Sequence, residues 1–143
     1  TFNLAIGDKT AEEVKIAIGS AVPVEDELVH TIKGRDFMTG LPRFAEIKTN
    51  EIVRAVDWEL KEIILAIKSV FQETPPELSA DIIDGGIIMT GGSSLLRNLP
   101  ELVYRRLGVK AVLADDALFC VAKGTGIALD HLAVYKKSIL HKR

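Results

Sequence analysis

The chain has 143 residues, of which 48% are hydrophobic, so it can fold around a core as one domain or as two small subdomains. A formal net charge of −2 without a long basic run excludes a generic nucleic-acid binder. No apolar run is long enough to cross a membrane, and the N-terminus lacks the pattern of a signal peptide.

The two termini of the chain and its cysteine indicate what kind of protein, and which cellular compartment, the chain comes from. The sequence starts at Thr1 without a methionine, from which we expect a piece of a longer protein. Basic residues at 136–137 and 141–143 indicate a solvated tail, with attraction to a membrane surface as the alternative. Cys120 lies in an apolar helical pattern and is expected to pack in the core. As the single cysteine it allows no disulfide within the chain, which fits a reducing cytoplasm.

The first predicted element is a helix that begins at Thr10. Thr10 and Glu13 have the spacing of a capping box, in which each side chain bonds to the other residue's backbone N–H. Apolar residues recur at helical spacing on one face: Ala11, Val14 and Ile18. The segment 14–18 also alternates as a strand does, but the cap favours a helix, which Gly19 would end.

A β-hairpin and a long helix follow. Two β-type runs, at 27–33 and 43–48, are separated by glycine and proline positions, which predicts a hairpin with a long connection. Apolar residues then recur at helical spacing from 50 to 71. This segment predicts a helix about 33 Å long, which is enough to bridge two subdomains.

The second half alternates between helices and strands. Thr74 as N-cap, Pro75 at the first helical position and Glu77 as the capping-box partner predict a short helix. The next predicted elements are a strand at 86–90, a helix from about Ser94 to Leu107 ended by Gly108, a buried strand at 110–114, and a helix capped by Asp115 or Asp116 that runs through Asp130, with Leu140 as its outer limit. Such alternation predicts parallel strands, whose C-terminal ends form the binding edge of the sheet.

The junction at 87–96 is the candidate binding site. An apolar strand stops there at Gly91 and Gly92, whose lack of a Cβ lets a flat ligand touch the main chain. The helix that begins near Ser93 or Ser94 would direct free N–H groups at a phosphate or ribose oxygen. A tight strand-to-helix turn with a serine N-cap explains the same residues, so the junction alone leaves both interpretations open.

Five short motifs occur in the order and spacing of one known family. They are Thr10–Ser20, Gly34–Arg43, Thr74–Leu78, Thr90–Arg97 and Cys120–Gly126. Over essentially the whole chain, they resemble the MreB family of bacterial actin homologues. The resemblance implies an α/β chain with the actin-like ATPase (ribonuclease H-like) fold, of which this is the C-terminal half. A small α+β subdomain of a helix and a hairpin would occupy 1–52 (IIB-like). A nucleotide-binding subdomain of alternating parallel strands and helices would occupy 53–143 (most of IIA-like).

The resemblance also implies roles for individual residues. The family's adenosine motif, with its glycine turn against adenine and ribose, corresponds to Thr90, Gly91, Gly92, Ser93 and Ser94. Glu12 and Lys15 match a pair that reaches the ribose and adenine from a helix, although an exposed ion pair explains them as well. Gly124 and Gly126 match a motif in which small residues let a helix pack closely at a hinge. Ser93 is a departure, since MreB sequences usually carry a glycine there and Hsp70 relatives a serine.

The implied function is that of a filament-forming, ATP-binding cytoskeletal protein that determines cell shape by organising cell-wall synthesis. Its implied place is the cytoplasm, at the inner face of the cell membrane, with membrane association through the missing half. Implied partners are further copies of itself, a RodZ-like transmembrane rod-shape protein and the cell-wall synthesis machinery. The chain would carry no catalytic or metal-binding residue. ATP phosphates and Mg²⁺ would be held mainly by the missing half, so the chain alone is expected to be inactive.

Two alternatives stay open at this point. Within the superfamily, the chain would be an Hsp70-like protein or a sugar kinase, although Thr74–Leu78 and Gly40–Pro42 favour MreB. Outside it, the chain would be an unrelated small α/β nucleotide-binding enzyme that uses the glycine pair as a Rossmann-like turn. Such an enzyme needs the G-x-G-x-x-G fingerprint, which the glycine spacing does not supply.

Overall fold

The computed structural model describes residues 3–139, which form two sheets and six α-helices. The elements are β1 (Leu4–Ala5), α1 (Asp8–Ile18), β2 (Val29–Asp36), β3 (Pro42–Lys48), α2 (Thr49–Glu73), α3 (Pro76–Gly85), β4 (Ile87–Met89), α4 (Leu99–Leu107), β5 (Ala111–Leu113), α5 (Cys120–Asp130) and α6 (Leu132–Ile139). Short 3₁₀ turns lie at Gly92–Leu95 and Ala117–Phe119. The predicted α/β class is confirmed. Within the described range, no helix combines the length and apolar character needed to span a bilayer.

The first sheet has three antiparallel strands in the order β1-β2-β3. β2 and β3 form the predicted hairpin, in which Ile32 lies opposite Ala45. α1 packs on one face of this sheet, because successive side chains of a strand point to opposite faces and the isoleucines of β2 and β3 lie on the face toward α1. The buried residues of that contact are Val14, Ile18, Ile32 and Ile47. α2 then runs without a break across the predicted subdomain boundary between 52 and 53, and that boundary stays a prediction.

α1 begins at Asp8, earlier than predicted, with Gly7 as its N-cap. Gly7 has no side chain that could form a cap, and its carbonyl accepts the first intrahelical bond from the N–H of Ala11 at 3.1 Å. Thr10 therefore lies inside the helix, and the predicted capping box with Glu13 is wrong. The carboxylate of Asp8 favours this start because it interacts with the positive end of the helix dipole. Ala11 is exposed, contrary to its predicted place on the apolar face.

α2 coincides closely with the predicted helix at 50–71. Two contacts fix its start. The carboxylate of Glu51 accepts the N–H of Lys48 at 2.9 Å, and the hydroxyl oxygen of Thr49 accepts the N–H of Leu28 at 3.1 Å. The buried side of α2 joins two clusters: Leu60 with Ala21 and Leu99, and Ile64 with Val103 and Ala111. This long helix therefore connects the first sheet to α4 and the second sheet.

Thr74 ends α2 and does not cap α3. Its hydroxyl donates to the carbonyl of Val70 at 2.7 Å, which is a bond back to the preceding turn. α3 begins at Pro76, with Pro75 as N-cap and without a side-chain cap. The predicted capping box with Glu77 is therefore wrong, although the short helix itself is present.

β4 and β5 form a parallel two-stranded sheet, as the alternation of helices and strands predicts. Met89 of β4 pairs with Leu113 of β5. The prediction of a buried β5 holds for Ala111 alone, because Val112 and Leu113 are 42% and 41% exposed. Gly108 ends α4 in the left-handed conformation (φ 71°), which confirms the predicted end of that helix.

The last predicted helix is divided. Asp116 has a left-handed backbone (φ 50°) and makes no side-chain cap, and a 3₁₀ turn separates it from α5. A further break separates α5 from α6. Cys120 is half-buried, with its sulfur 3.6 Å from the carbonyl oxygen of Asp115, and is not the core residue expected. The predicted limit at Leu140 and the basic residues 141–143 lie outside the described residues.

Candidate functional site

The predicted glycine junction forms a sharp turn at the C-terminal end of β4. Gly91 has φ 86° and ψ 169°, a backbone conformation that is essentially restricted to glycine. Its N–H donates to the carbonyl of Ala117 at 2.8 Å, so the turn is held against the 3₁₀ turn that precedes α5. A Cβ at Gly91 would meet no heavy atom within 4 Å. The outer side of the turn is therefore open.

The five predicted site residues at 90–94 differ in their exposure. Thr90, Gly92 and Ser93 are exposed, whereas Ser94 is buried. The hydroxyl of Ser94 donates to the carbonyl of Gly91 at 2.6 Å and fastens the turn from inside. The arrangement presents backbone and small polar groups on its outer side.

The segment after the turn differs from the prediction. Gly92–Leu95 is a single turn of 3₁₀ helix, and α4 begins only at Leu99. Asn98 breaks the helix because its left-handed backbone (φ 60°) does not continue a right-handed helix, and Pro100 follows in the first turn of α4. The predicted helix from Ser94 to Leu107, with its free N–H groups directed at a ligand, is wrong in its first part.

Glu12 and Lys15 both lie exposed on α1. Among residues 3–139, neither side chain takes part in an ion pair within 4.0 Å, and the ion pair on this helix joins Lys9 to Glu13. The exposed Glu12–Lys15 ion pair that the sequence also allowed is therefore not formed. Both charged groups are available to a ligand.

The C-terminal end of α1 is bonded to the segment that follows the glycine turn. The guanidinium of Arg97 donates to the carbonyl of Ile18 at 2.7 Å and to that of Gly19 at 2.9 Å. Gly19 also packs against Leu96, since a Cβ at Gly19 would lie 3.0 Å from the leucine side chain. Sequence reasoning missed Arg97 because its two partners are separated from it by 78 and 79 positions in the sequence. No local sequence pattern indicates a contact over such a separation.

Gly124 and Gly126 lie on α5 without a close neighbour. A Cβ at either position would meet no heavy atom within 4 Å. The same helix exposes Val121 and Leu129. The close helix packing implied for these glycines has no counterpart within residues 3–139, and the hinge role stays a prediction.

The turn between β2 and β3 presents an exposed apolar tip. The exposed residues of this tip are Phe37, Met38, Leu41 and Phe44. Asp36 fixes its shape, because the carboxylate accepts the N–H groups of Thr39 at 3.0 Å and Met38 at 2.8 Å, and the guanidinium of Arg43 at 2.8 Å. These bonds, that from Thr39 foremost, hold the pKa of Asp36 below its ordinary value against the opposing effect of burial. An exposed apolar patch of this kind is typical of a surface that contacts another protein.

Two grooves lie away from the glycine turn, between α2 and α4. The first has a volume of about 600 Å³ and is lined by Ala21, Val22, Pro23, Val53, Arg54, Asp57, Leu102, Arg105 and Arg106. The second, of about 270 Å³, continues along the same two helices. Neither is lined by any of the seven predicted site residues.

The sequence matches the family model for MreB/Mbl protein over residues 1–137. Cell shape-determining protein Mbl of Bacillus subtilis (strain 168) is 41% identical over 131 residues, which are 92% of this chain and 39% of the relative. Cell shape-determining protein MreB of Escherichia coli (strain K12) is 39% identical over 134 residues, which are 94% of this chain and 39% of the relative. The chain therefore spans 39% of the length of these relatives. These matches leave no support for an Hsp70-like protein, a sugar kinase or an unrelated small α/β enzyme.

Two solved structures have the same fold as this chain. The crystal structure of MreB 5 of Spiroplasma citri bound to AMPPNP matches with a TM-score of 0.88 and 36% identity, and covers 97% of this chain and 42% of that one. The structure of MreB5 from the same organism bound to ADP matches with a TM-score of 0.88 and 37% identity, and covers 99% of this chain and 42% of that one. The chain therefore belongs to the MreB/Mbl family and has the actin-like fold that its motifs predict.

Proposed function

We propose that this chain supplies the adenosine-binding side of the nucleotide site in a filament-forming, ATP-binding protein that determines cell shape. The observation that carries the proposal is the open turn at Gly91 and Gly92, at the C-terminal end of a parallel strand, where α/β sheets bind ligands. Further support comes from MreB5 of Spiroplasma citri, which is 36% and 37% identical in its AMPPNP-bound and ADP-bound structures.

In this proposal, the glycine turn binds the adenine and the ribose through its backbone. Because the glycine pair lacks side chains, a flat ring can approach the main chain closely. The bond from the Ser94 hydroxyl to Gly91 and the bond from the Gly91 N–H to Ala117 fix the turn before a ligand arrives, which lowers the entropic cost of binding. Thr90 and Ser93, which are exposed on the same turn, would offer hydroxyl groups to the ribose.

Glu12 and Lys15 would contact the same ligand from α1. The carboxylate of Glu12 can accept hydrogen bonds from ribose hydroxyls, and the ammonium of Lys15 can donate to ribose oxygens or adenine nitrogens. The phosphates and Mg²⁺ would be held mainly by residues outside this chain, so the chain alone would bind nucleotide without hydrolysing it. Bound ATP would link the two halves of the whole protein, and its hydrolysis would alter the stability of the filament.

The wider role is inferred from family membership, since relatives are named as cell shape-determining proteins. We infer that the whole protein acts in the cytoplasm at the inner face of the cell membrane, where it organises cell-wall synthesis. Its proposed partners are further copies of itself, a RodZ-like transmembrane rod-shape protein and the cell-wall synthesis machinery. The apolar tip at 37–44 supports contact between copies because exposed apolar residues on a rigid turn favour association.

Replacing Glu12 or Lys15 with alanine tests the contribution of α1. In the intact protein, each substitution should weaken binding of a fluorescent ATP analogue about tenfold, because one charged hydrogen bond to the ligand is lost. The free energy of unfolding should change by less than about 0.5 kcal/mol, since both side chains are exposed and unpaired within residues 3–139. Titration and urea denaturation on the same variants measure the two quantities.

The matched controls are alanine substitutions of Lys9 and Glu13, which form an exposed ion pair on the same helix. These should leave affinity unchanged and alter stability equally little. Unchanged affinity in the Glu12 and Lys15 variants would contradict their assignment to the site. If instead the unmodified protein bound no adenine nucleotide at all, the proposed function itself would be wrong.

A further inference from the structure

Arg97 joins the two parts of the chain to which the proposed nucleotide site is assigned. Its backbone follows the 3₁₀ turn that begins at Gly92, and its side chain reaches the opposite element, α1. The guanidinium donates two hydrogen bonds, to the carbonyls of Ile18 and Gly19, at 2.7 and 2.9 Å. These are carbonyls at the C-terminal end of α1, which have no partner further along the helix.

The chemistry of this contact favours a rigid connection. The guanidinium is planar and presents its donors as a fork, so two bonds to neighbouring carbonyls fix both distance and orientation. Its positive charge also interacts favourably with the negative end of the helix dipole of α1. A lysine would keep the charge but lose the fork.

The backbone and a neighbouring side chain reinforce the same junction. The N–H of Ala21 donates to the carbonyl of Arg97 at 2.8 Å, and Ser20 pairs with Arg97 in a parallel bridge. The side-chain amide of Asn98 donates to the hydroxyl of Ser20 at 3.0 Å, and Ser20 is fully buried. Asn98, whose backbone is left-handed, is the N-cap of α4, so the start of that helix is held at the same junction.

We propose that Arg97 is a positioning residue for nucleotide binding. Its side chain holds α1 in a fixed position relative to the glycine turn. The inference rests on the proposed function, because it assigns Glu12 and Lys15 to the same ligand as the turn. Arg97 itself does not contact the ligand. It acts by keeping the charged groups of α1 in a fixed position relative to Gly91 and Gly92, so that both parts of the site can contact one ligand together.

The variant Arg97→Gln tests this role in the intact protein by titration with a fluorescent ADP analogue. Affinity should fall roughly fivefold or more, since the two parts of the site are no longer held together. The effect of Arg97→Gln on affinity should also depend on whether Lys15 of α1 is present. Lys15→Ala should weaken binding clearly in the unmodified protein and much less in the Arg97→Gln background, because Lys15 is then already misplaced. Full additivity of the two substitutions would overturn the inference, since a purely structural role of Arg97 predicts it.

Arg105→Gln serves as the matched control. Arg105 lies on α4, forms an exposed ion pair with Glu101 at 2.7 Å, and should leave affinity unchanged. If Arg97→Gln fails to fold, Arg97→Lys provides the same test, since the ammonium keeps the charge without the fork. A folded Arg97→Lys protein should still bind more weakly than the unmodified protein, and equal affinity would overturn the inference.

The two levels of the hypothesis fail in different ways. If the unmodified protein binds no adenine nucleotide, the proposed function is wrong and the inference fails with it. If the unmodified protein binds nucleotide and Arg97→Gln binds equally well, the proposed function stands and only the positioning role is wrong.

Discussion

Replacing Gly92 with valine should weaken ATP binding at least tenfold in the intact protein, while the fold is retained. The branched side chain would occupy the space that we propose for the ribose or adenine against the backbone. Gly92 is suitable for this test because its φ is not left-handed, and an added Cβ would lie 3.3 Å from the Leu118 side chain, which can shift slightly. Gly91 is not suitable, because φ 86° would strain any other residue.

Titration with a fluorescent ATP analogue measures the effect, and circular dichroism checks the fold. Gly85→Val is the matched control, because this exposed glycine at the end of α3 also has room for a Cβ and lies outside the site. The control should bind as the unmodified protein does. Unchanged affinity in a folded Gly92→Val protein would remove the assignment of the turn to adenosine.

Replacing Leu60 with alanine should lower the free energy of unfolding by about 2–5 kcal/mol, the range for truncating a buried leucine. Leu60 is 7% exposed and packs with Ala21 and Leu99, so it joins α2 to α4 and to the segment after α1. The expected loss of stability has two parts: the transfer free energy of the removed side-chain atoms, and the cost of the cavity that they leave. Urea denaturation of the intact protein, followed by circular dichroism, measures the change.

Glu59→Ala is the control for this prediction, because Glu59 precedes Leu60 on α2 and is exposed. It should shift the free energy of unfolding by no more than about 0.5 kcal/mol. A Leu60→Ala loss as small as that of the control would mean that the contact between α2 and α4 contributes little to stability. The long helix would then not connect the two sheets as a rigid element.

The elements that were predicted well are those whose signal is a repeated pattern. The hairpin and α2 each bury one set of periodic side chains, so the sequence pattern reflects the core directly. The parallel strands β4 and β5 follow from the alternation of helices and strands along the second half. Gly108 was predicted because a left-handed residue after a helix is most often glycine.

The caps were predicted poorly because a threonine hydroxyl has several local partners. Thr10 and Thr74 both precede an acidic residue at capping-box spacing, yet Thr74 bonds back to Val70 and Thr10 lies inside α1. The start of α4 was missed for a different reason. Asn98 adopts a left-handed backbone where the chain meets Ser20, and that contact is set by tertiary structure.

In the candidate site, too, a residue with a local sequence signal was predicted and a residue with only long-range contacts was missed. Gly91 was singled out because glycine lacks a Cβ, so its backbone can take unusual dihedrals, and its φ of 86° agrees with that reasoning. Arg97 carries no local signal, since its partners lie at the far end of α1. Its contacts appear only once the two segments are folded together.

A crystal structure of the intact protein with bound ADP tests the proposed function most directly. We expect the adenine and ribose to lie against Gly91 and Gly92, with Glu12 and Lys15 directed at the ribose or adenine. Binding in the groove between α2 and α4, lined by Arg54 and Arg106, would leave the glycine turn uncovered and would contradict the proposal.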